Sequence, residues 1–240
     1  MDQVIQVKRA LRDYADAERA AFMPQFFQAF EGGYGEGDRF LGVRVPNVRK
    51  VAKDHPLPID QLRALMCSSF HEERLFAILV LCGRYKKAKN LAQQHALIAF
   101  YRQHIKWVNN WDLVDCSAPH LIGPYIWQQQ DMNFLGALAR SDSMWQQRMA
   151  MVSCFYFIRQ NDSAITLDLA ARFRHHSHPL MHKAVGWMLR ELAKRNQPEV
   201  EAFLQQHLEA LPRELLRYAI ERFNEPLRQA YLSGSILASG

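Results

Sequence analysis

Apolar residues recur along nearly the whole chain at a period close to 3.6, in runs cut by short polar or proline-bearing breaks. That period gives each run one apolar face, so each is expected to fold as an amphipathic helix that buries the face on a neighbour. The breaks fall near Pro46, Pro56-Leu57-Pro58, Ser68-Ser69, Asn109-Asn110, Ser141-Asp142-Ser143, Ser177-His178-Pro179, Pro198 and Pro212. Serine, asparagine and aspartate there can cap a helix start, and proline fits the first helical turn. Only 11 glycines and 10 prolines occur in 240 residues, too few for the closely spaced turns of a sheet protein. The expectation is one all-α domain, residues 1–240, opened by two helical stretches before about Phe30. The single glycine cluster, Gly32 to Gly37, lacks the lysine and the strand–turn–helix setting of a phosphate loop and reads as a hinge or connector.

Several later helices are expected to begin with a mixture of aromatic and charged residues. They are His71-Glu72-Glu73-Arg74, Trp111-Asp112-Leu113-Val114-Asp115, Trp145-Gln146-Gln147-Arg148, and the stretch from Lys183 through Trp187 to Arg190. The steps from Arg74 to Trp111, Trp111 to Arg148 and Arg148 to Trp187 are 37, 37 and 39 residues, close to the roughly 40–47-residue period of HEAT and armadillo arrays. Stacked helix pairs at such a spacing line every second helix along one concave wall. The polar-aromatic motifs would share that wall.

Charge narrows the partner. The chain carries a net +6 with a pI near 9.2, which suits a polyanion. No apolar run approaches the 18 residues of a membrane span, and the charged, amphipathic N-terminus does not look like a secretory signal. The four cysteines (Cys67, Cys82, Cys116, Cys154) form no CxxC pair and read as reduced, buried thiols of a cytoplasmic protein.

Chemistry concentrates at a few positions. Trp111 and Asp115 lie four apart and share a helix face, so a carboxylate sits beside an indole, an arrangement suited to a transient cation. A core tryptophan beside a helix-capping Asp112 or Asp115 explains the same letters. Arg148 is suited to a two-pronged grip on phosphate or on a carboxylate such as Asp115. Lys183, Trp187, Arg190 and Lys194 fall on one helical stripe of three cations and an indole, the footprint expected for a nucleic-acid backbone or for a solvated face. Arg213 and Arg217, four apart, extend that wall by another helix. The tract His175-His176-Ser177-His178 with His182 lies at a helix junction without paired carboxylates and reads as a polar connector, so neither metal nor cofactor is implied. No GxSxG, HExxH or dinucleotide-binding fingerprint occurs.

Taken with Arg39-Phe40-Leu41-Gly42-Val43-Arg44-Val45-Pro46, these blocks resemble, in order and spacing, the signatures of the AlkD-type DNA alkylation repair proteins, from about Phe22 to Tyr231. The resemblance implies a right-handed superhelical array of HEAT-like antiparallel helix pairs with a concave basic groove for duplex DNA. It also implies a monomeric glycosylase that removes N3- and N7-alkylated purines. By the same resemblance Asp115 is the catalytic aspartate and Arg148 the arginine of that site, while Trp111 and Trp187 pack against the damaged nucleotide's backbone. The chain departs from the pattern at Asn110, where some members have a second tryptophan, and at Phe26-Phe27, where some carry an active-site tyrosine. Members that bind DNA structures without excising bases supply the alternative reading, and a protein–protein scaffold is a further one.

Overall fold

Each break anticipated from the sequence falls at a helix boundary. The computed structural model describes residues 3–236, and the chain is all-α, divided into two compact units, one up to Leu121 and the other from Ile122. Among the described residues no helix is long and apolar enough to cross a membrane. Among the described residues, one bridge between extended residues joins Arg39 to Phe70.

The first unit contains α1 (Gln3–Arg12), α2 (Ala17–Phe26), α3 (Val45–Asp54), α4 (Ile59–Met66), α5 (His71–Lys87), α6 (Leu91–Gln103) and α7 (Trp111–Ser117). Helix α5 is its axis, packed by α1, α3, α4, α6 and α7. A helix surrounded in this way keeps only a small solvent face, and α5 accordingly buries Leu75, Phe76, Ala77, Ile78, Val80 and Leu81. Asp16, Asn90 and Asn110 cap α2, α6 and α7 through side-chain oxygens that accept backbone N–H groups.

The second unit contains α8 (Gly123–Gln129), α9 (Met132–Ala139), α10 (Met144–Arg159), α11 (Ala164–Phe173), α12 (Pro179–Ala193), α13 (Gln197–His207), α14 (Arg213–Ala219) and α15 (Glu225–Ser233). Here α10 and α12 are central: α10 packs on α8, α9, α11 and α12, and α12 on α11, α13 and α14. Short connections between packed neighbours make these helix pairs antiparallel. The packing of α12 on α14 depends on Gly186. A Cβ there would lie 2.5 Å from Tyr218 Cβ and 2.6 Å from the Leu215 carbonyl oxygen, closer than any side chain can be placed.

The cysteines depart from expectation. Cys154 is buried, but Cys67, Cys82 and Cys116 are only half-buried, and Cys67 stands at the C-terminus of α4. All four are free thiols. Burial pushes Cys82 up to about 12 and Cys116 to about 11, which keeps both protonated and unreactive at neutral pH.

Candidate active site

The His71-Glu72-Glu73-Arg74 motif does not line a wall. All four side chains are buried at the start of α5, where they hold the surrounding loops by charge. The Glu72 carboxylate accepts the backbone N–H groups of Leu41 (3.0 Å), Gly42 (2.8 Å) and Val43 (3.2 Å). This explains the Arg39–Val43 stretch: Gly42 has φ 79°, and a Cβ there would stand 2.1 Å from the Asp16 carbonyl oxygen. Glu73 draws in Lys8 and Arg12 of α1, each at 3.2 Å.

His71 and Arg74 point toward the start of α7. Asp38, delivered by the glycine-rich connector between α2 and α3, accepts from Arg74 Nη2 at 2.6 Å and from Asn109 Nδ2 at 3.0 Å. The His71 ring lies between two carboxylates, with Nδ1 3.2 Å from Asp38 Oδ2 and Nε2 2.7 Å from Asp112 Oδ2. Burial opposes a charge on this ring, but Asp112 and Asp38 outweigh it and raise the His71 pKa to about 9. Burial also disfavours ionised Asp38; hydrogen bonds from His71 and Asn109 and the Arg74 charge reverse that and lower its pKa.

Above this knot, Trp111 and Asp115 occupy successive turns of α7, both partly exposed. One face of Trp111 stacks on buried Phe27 (centroids 5.4 Å apart, 27° between planes), and Phe26 meets it edge-on at 5.9 Å. Phe22 and Phe26, one turn apart on α2, are 58% and 52% exposed, so an open aromatic face adjoins the indole. Of the two phenylalanines at the position where some relatives carry tyrosine, Phe26 is therefore the solvent-facing one and Phe27 belongs to the core. Asn110 is buried and caps α7, its Oδ1 accepting from the Trp111 N–H at 2.8 Å, while its Nδ2 has no partner among the described residues. After Asp115 the helix widens into a π-type turn over Ala118–Ile122. Pro119 brings no N–H to the Asp115 carbonyl, and widened turns of this kind recur beside functional residues.

The second unit carries the remaining candidates. Arg148 in α10 is 4% exposed and donates from Nη1 to the Leu180 carbonyl oxygen, holding the first turn of α12. Trp187 on α12 is half-buried, its ring 6.2 Å from Phe155 of α10. The basic stripe faces anions, but they are the protein's own: Lys183 lies 3.4 Å from Glu214, Arg190 pairs with Glu221, and Lys194 is 2.7 Å from Glu191. Arg213 and Arg217 on α14 are exposed and hold no ion pair among the described residues. The histidine tract serves as a connector: His178 caps α12 through Nδ1, and His176 Nδ1 accepts the His178 N–H. Burial and the charge of His182 lower the pKa of His176, and burial with the charges of His176, His182 and Arg148 lowers that of His178. No group of three or more His, Cys, Asp or Glu side chains able to hold a metal lies among the described residues.

The motifs do not single out Phe22 or Phe155, and they place His71 on a wall rather than in the interior. The i,i+4 spacing of Phe22 with Phe26 is the available signal for the first. Nothing local distinguishes Phe155.

Comparison with known proteins agrees with the motifs. The family model described as DNA alkylation repair enzyme matches residues 7–223. A solved structure described as a predicted DNA alkylation repair enzyme from Enterococcus faecalis is 18% identical, covering 88% of this chain and 97% of its own, with a TM-score of 0.70. At that identity the likeness shows a shared fold. No curated protein matches the chain.

Proposed function

The chain belongs to the DNA alkylation repair enzyme family, and from that premise we propose that it is a DNA glycosylase acting on N3- and N7-alkylated purines in duplex DNA. The observation that carries the proposal is the start of α7: a partly exposed carboxylate, Asp115, one turn beyond a partly exposed indole, Trp111, on a helix start clamped from beneath.

An N3- or N7-alkylated purine already carries positive charge and leaves as a neutral base without a general acid. As the C1′–N bond breaks, its electron pair stays with the purine and charge develops on the sugar. Asp115 stabilises that oxocarbenium-like carbon and orients the water whose oxygen bonds to C1′, the proton being released to solvent. The indole face of Trp111 adds cation–π attraction. In the second unit, Trp187 packs against the substrate backbone, the α12 and α14 cations attract its phosphates, and buried Arg148 fixes the first turn of α12.

The test is release of 7-methylguanine from methylated duplex DNA by the purified protein. Asp115→Asn is expected to lower the rate by about 10-fold or more, in keeping with the loss of a major electrostatic contribution. An equally active Asp115→Asn protein refutes the assignment, and DNA binding without base release by the unaltered chain favours the structure-binding alternative.

A further inference from the structure

We infer that His71 is a positioning residue: a buried imidazolium that clamps Asp112 and so sets Trp111 and Asp115 on α7 for the chemistry proposed above, the reading on which its catalytic consequence rests. The inference starts from hydrogen-bond bookkeeping. A neutral imidazole has one N–H and one lone pair, so it can satisfy one carboxylate while its other nitrogen faces the second carboxylate lone pair to lone pair. Both His71 nitrogens lie within hydrogen-bond distance of carboxylate oxygens, and the ring is 1% exposed. At that burial bulk solvent does not reach the ring to relieve the mismatch. Only the doubly protonated ring donates to both.

The surrounding charges balance on that assignment. The groups facing His71 are Asp38 on the connector, Asp112 on α7 and Arg74 on its own helix. Two carboxylates and two cations sum to zero in a site where an uncompensated charge is costly. The start of α7 is held at three points: Asn109 by Asp38 and Arg74, Asn110 as the cap, and Asp112 by His71. Asp112 Oδ1 also accepts the Leu113 N–H at 2.8 Å, so the carboxylate fixes the first turn as well as being fixed itself. Trp111 sits between two of these anchors, and Asp115 follows one turn later. The two carboxylates of the Trp111–Asp115 motif therefore divide their work, Asp112 holding the helix and Asp115 meeting the substrate.

Histidine-labelled protein tests the clamp directly by nitrogen NMR, with His71→Gln identifying the signal. Both ring nitrogens should remain protonated from about pH 6 to 8, where an ordinary histidine loses its proton, and a neutral ring at pH 7 overturns the inference. His71→Gln is expected to slow single-turnover release of 7-methylguanine by about 10-fold while DNA affinity stays within about 3-fold, and the double variant with Asp112→Asn to recover most of the rate, because it removes both charges together. A folded His71→Gln protein with the unaltered rate also overturns it. If the unaltered protein releases no base, the glycosylase reading fails but the clamp is still read by acrylamide quenching of Trp111, isolated with Trp111→Phe. Quenching should rise in His71→Gln and return in the double variant; no change refutes the clamp. Where His71→Gln does not fold, Asp112→Asn should lower the His71 titration by about one pH unit or more, and no shift refutes the inference.

Discussion

Glu72 directs its buried carboxylate to backbone rather than to a cation, accepting three N–H groups from Leu41, Gly42 and Val43. Glu72→Ala strands those donors, each worth about 1–3 kcal/mol when buried without an acceptor. A loss of about 4 kcal/mol is expected by urea unfolding, with Glu72→Gln, which keeps one carbonyl acceptor, losing about half as much. A change below about 1 kcal/mol for the alanine variant would show that the loop finds other acceptors. At this scale the sequence was only partly legible. Trp111 and Asp115 are visible as neighbours from their spacing alone, but nothing in the motif tells which of Asp112 and Asp115 is structural. The partner that decides it, His71, lies 41 residues away. The charged letters of residues 71–74 suggested a polar surface for the same reason, since their counter-charges come from α1, the connector and α7.

At the scale of the element, α7 should respond to pH through the group that clamps it. The folded pKa of His71 is raised to about 9 from its usual 6.5. Its contribution to stability is therefore fully present below about pH 6.5 and is lost as pH rises through 9, on the order of 3 kcal/mol in all. Asp38 works in the opposite direction: its pKa is lowered, so its share is present above the ordinary carboxylate range and lost as pH falls through the lowered value. Thermal melts should show a stability plateau between these limits and an alkaline decline that His71→Gln abolishes; an alkaline decline unchanged in that variant would locate the titrating group elsewhere. Helix boundaries were legible at many of the points where proline or a serine–asparagine–aspartate cluster interrupts the apolar period, as at Pro56–Pro58 and Ser177–Pro179, though not at Asn161-Asp162-Ser163 before α11. The break between α5 and α6 was not, because it contains neither glycine nor proline and is set by Asn90 capping α6 and Gln93 reaching back to the Lys89 N–H. The π-type turn after Asp115 was also hidden, since one proline within a continuing apolar period does not show how its missing donor is absorbed.

Across the whole molecule the basic excess is not one uniform field. Lys183 faces Glu214 of α14, Lys194 faces Glu191 of α12 and Arg190 pairs with Glu221 just beyond α14, whereas Arg213 and Arg217 hold no ion pair among the described residues. Removing the last two together should flatten the dependence of log affinity for duplex DNA on log salt by about 2, near one per phosphate contact. Lys183→Ala with Arg190→Ala should flatten it by less, as those cations must first exchange Glu214 and Glu221 for phosphate. A slope unchanged by either pair would remove α12 and α14 from the DNA contact. A different consequence belongs to the stretch between α2 and α3. Residues 27–44 contain no helix and one isolated bridge, the profile of a segment whose amide hydrogens trade rapidly with deuterated solvent. Yet three of those amides terminate on a carboxylate rooted in the axial helix of their unit, so their deuterium uptake should be as slow as that helix permits, and they should open only when it does.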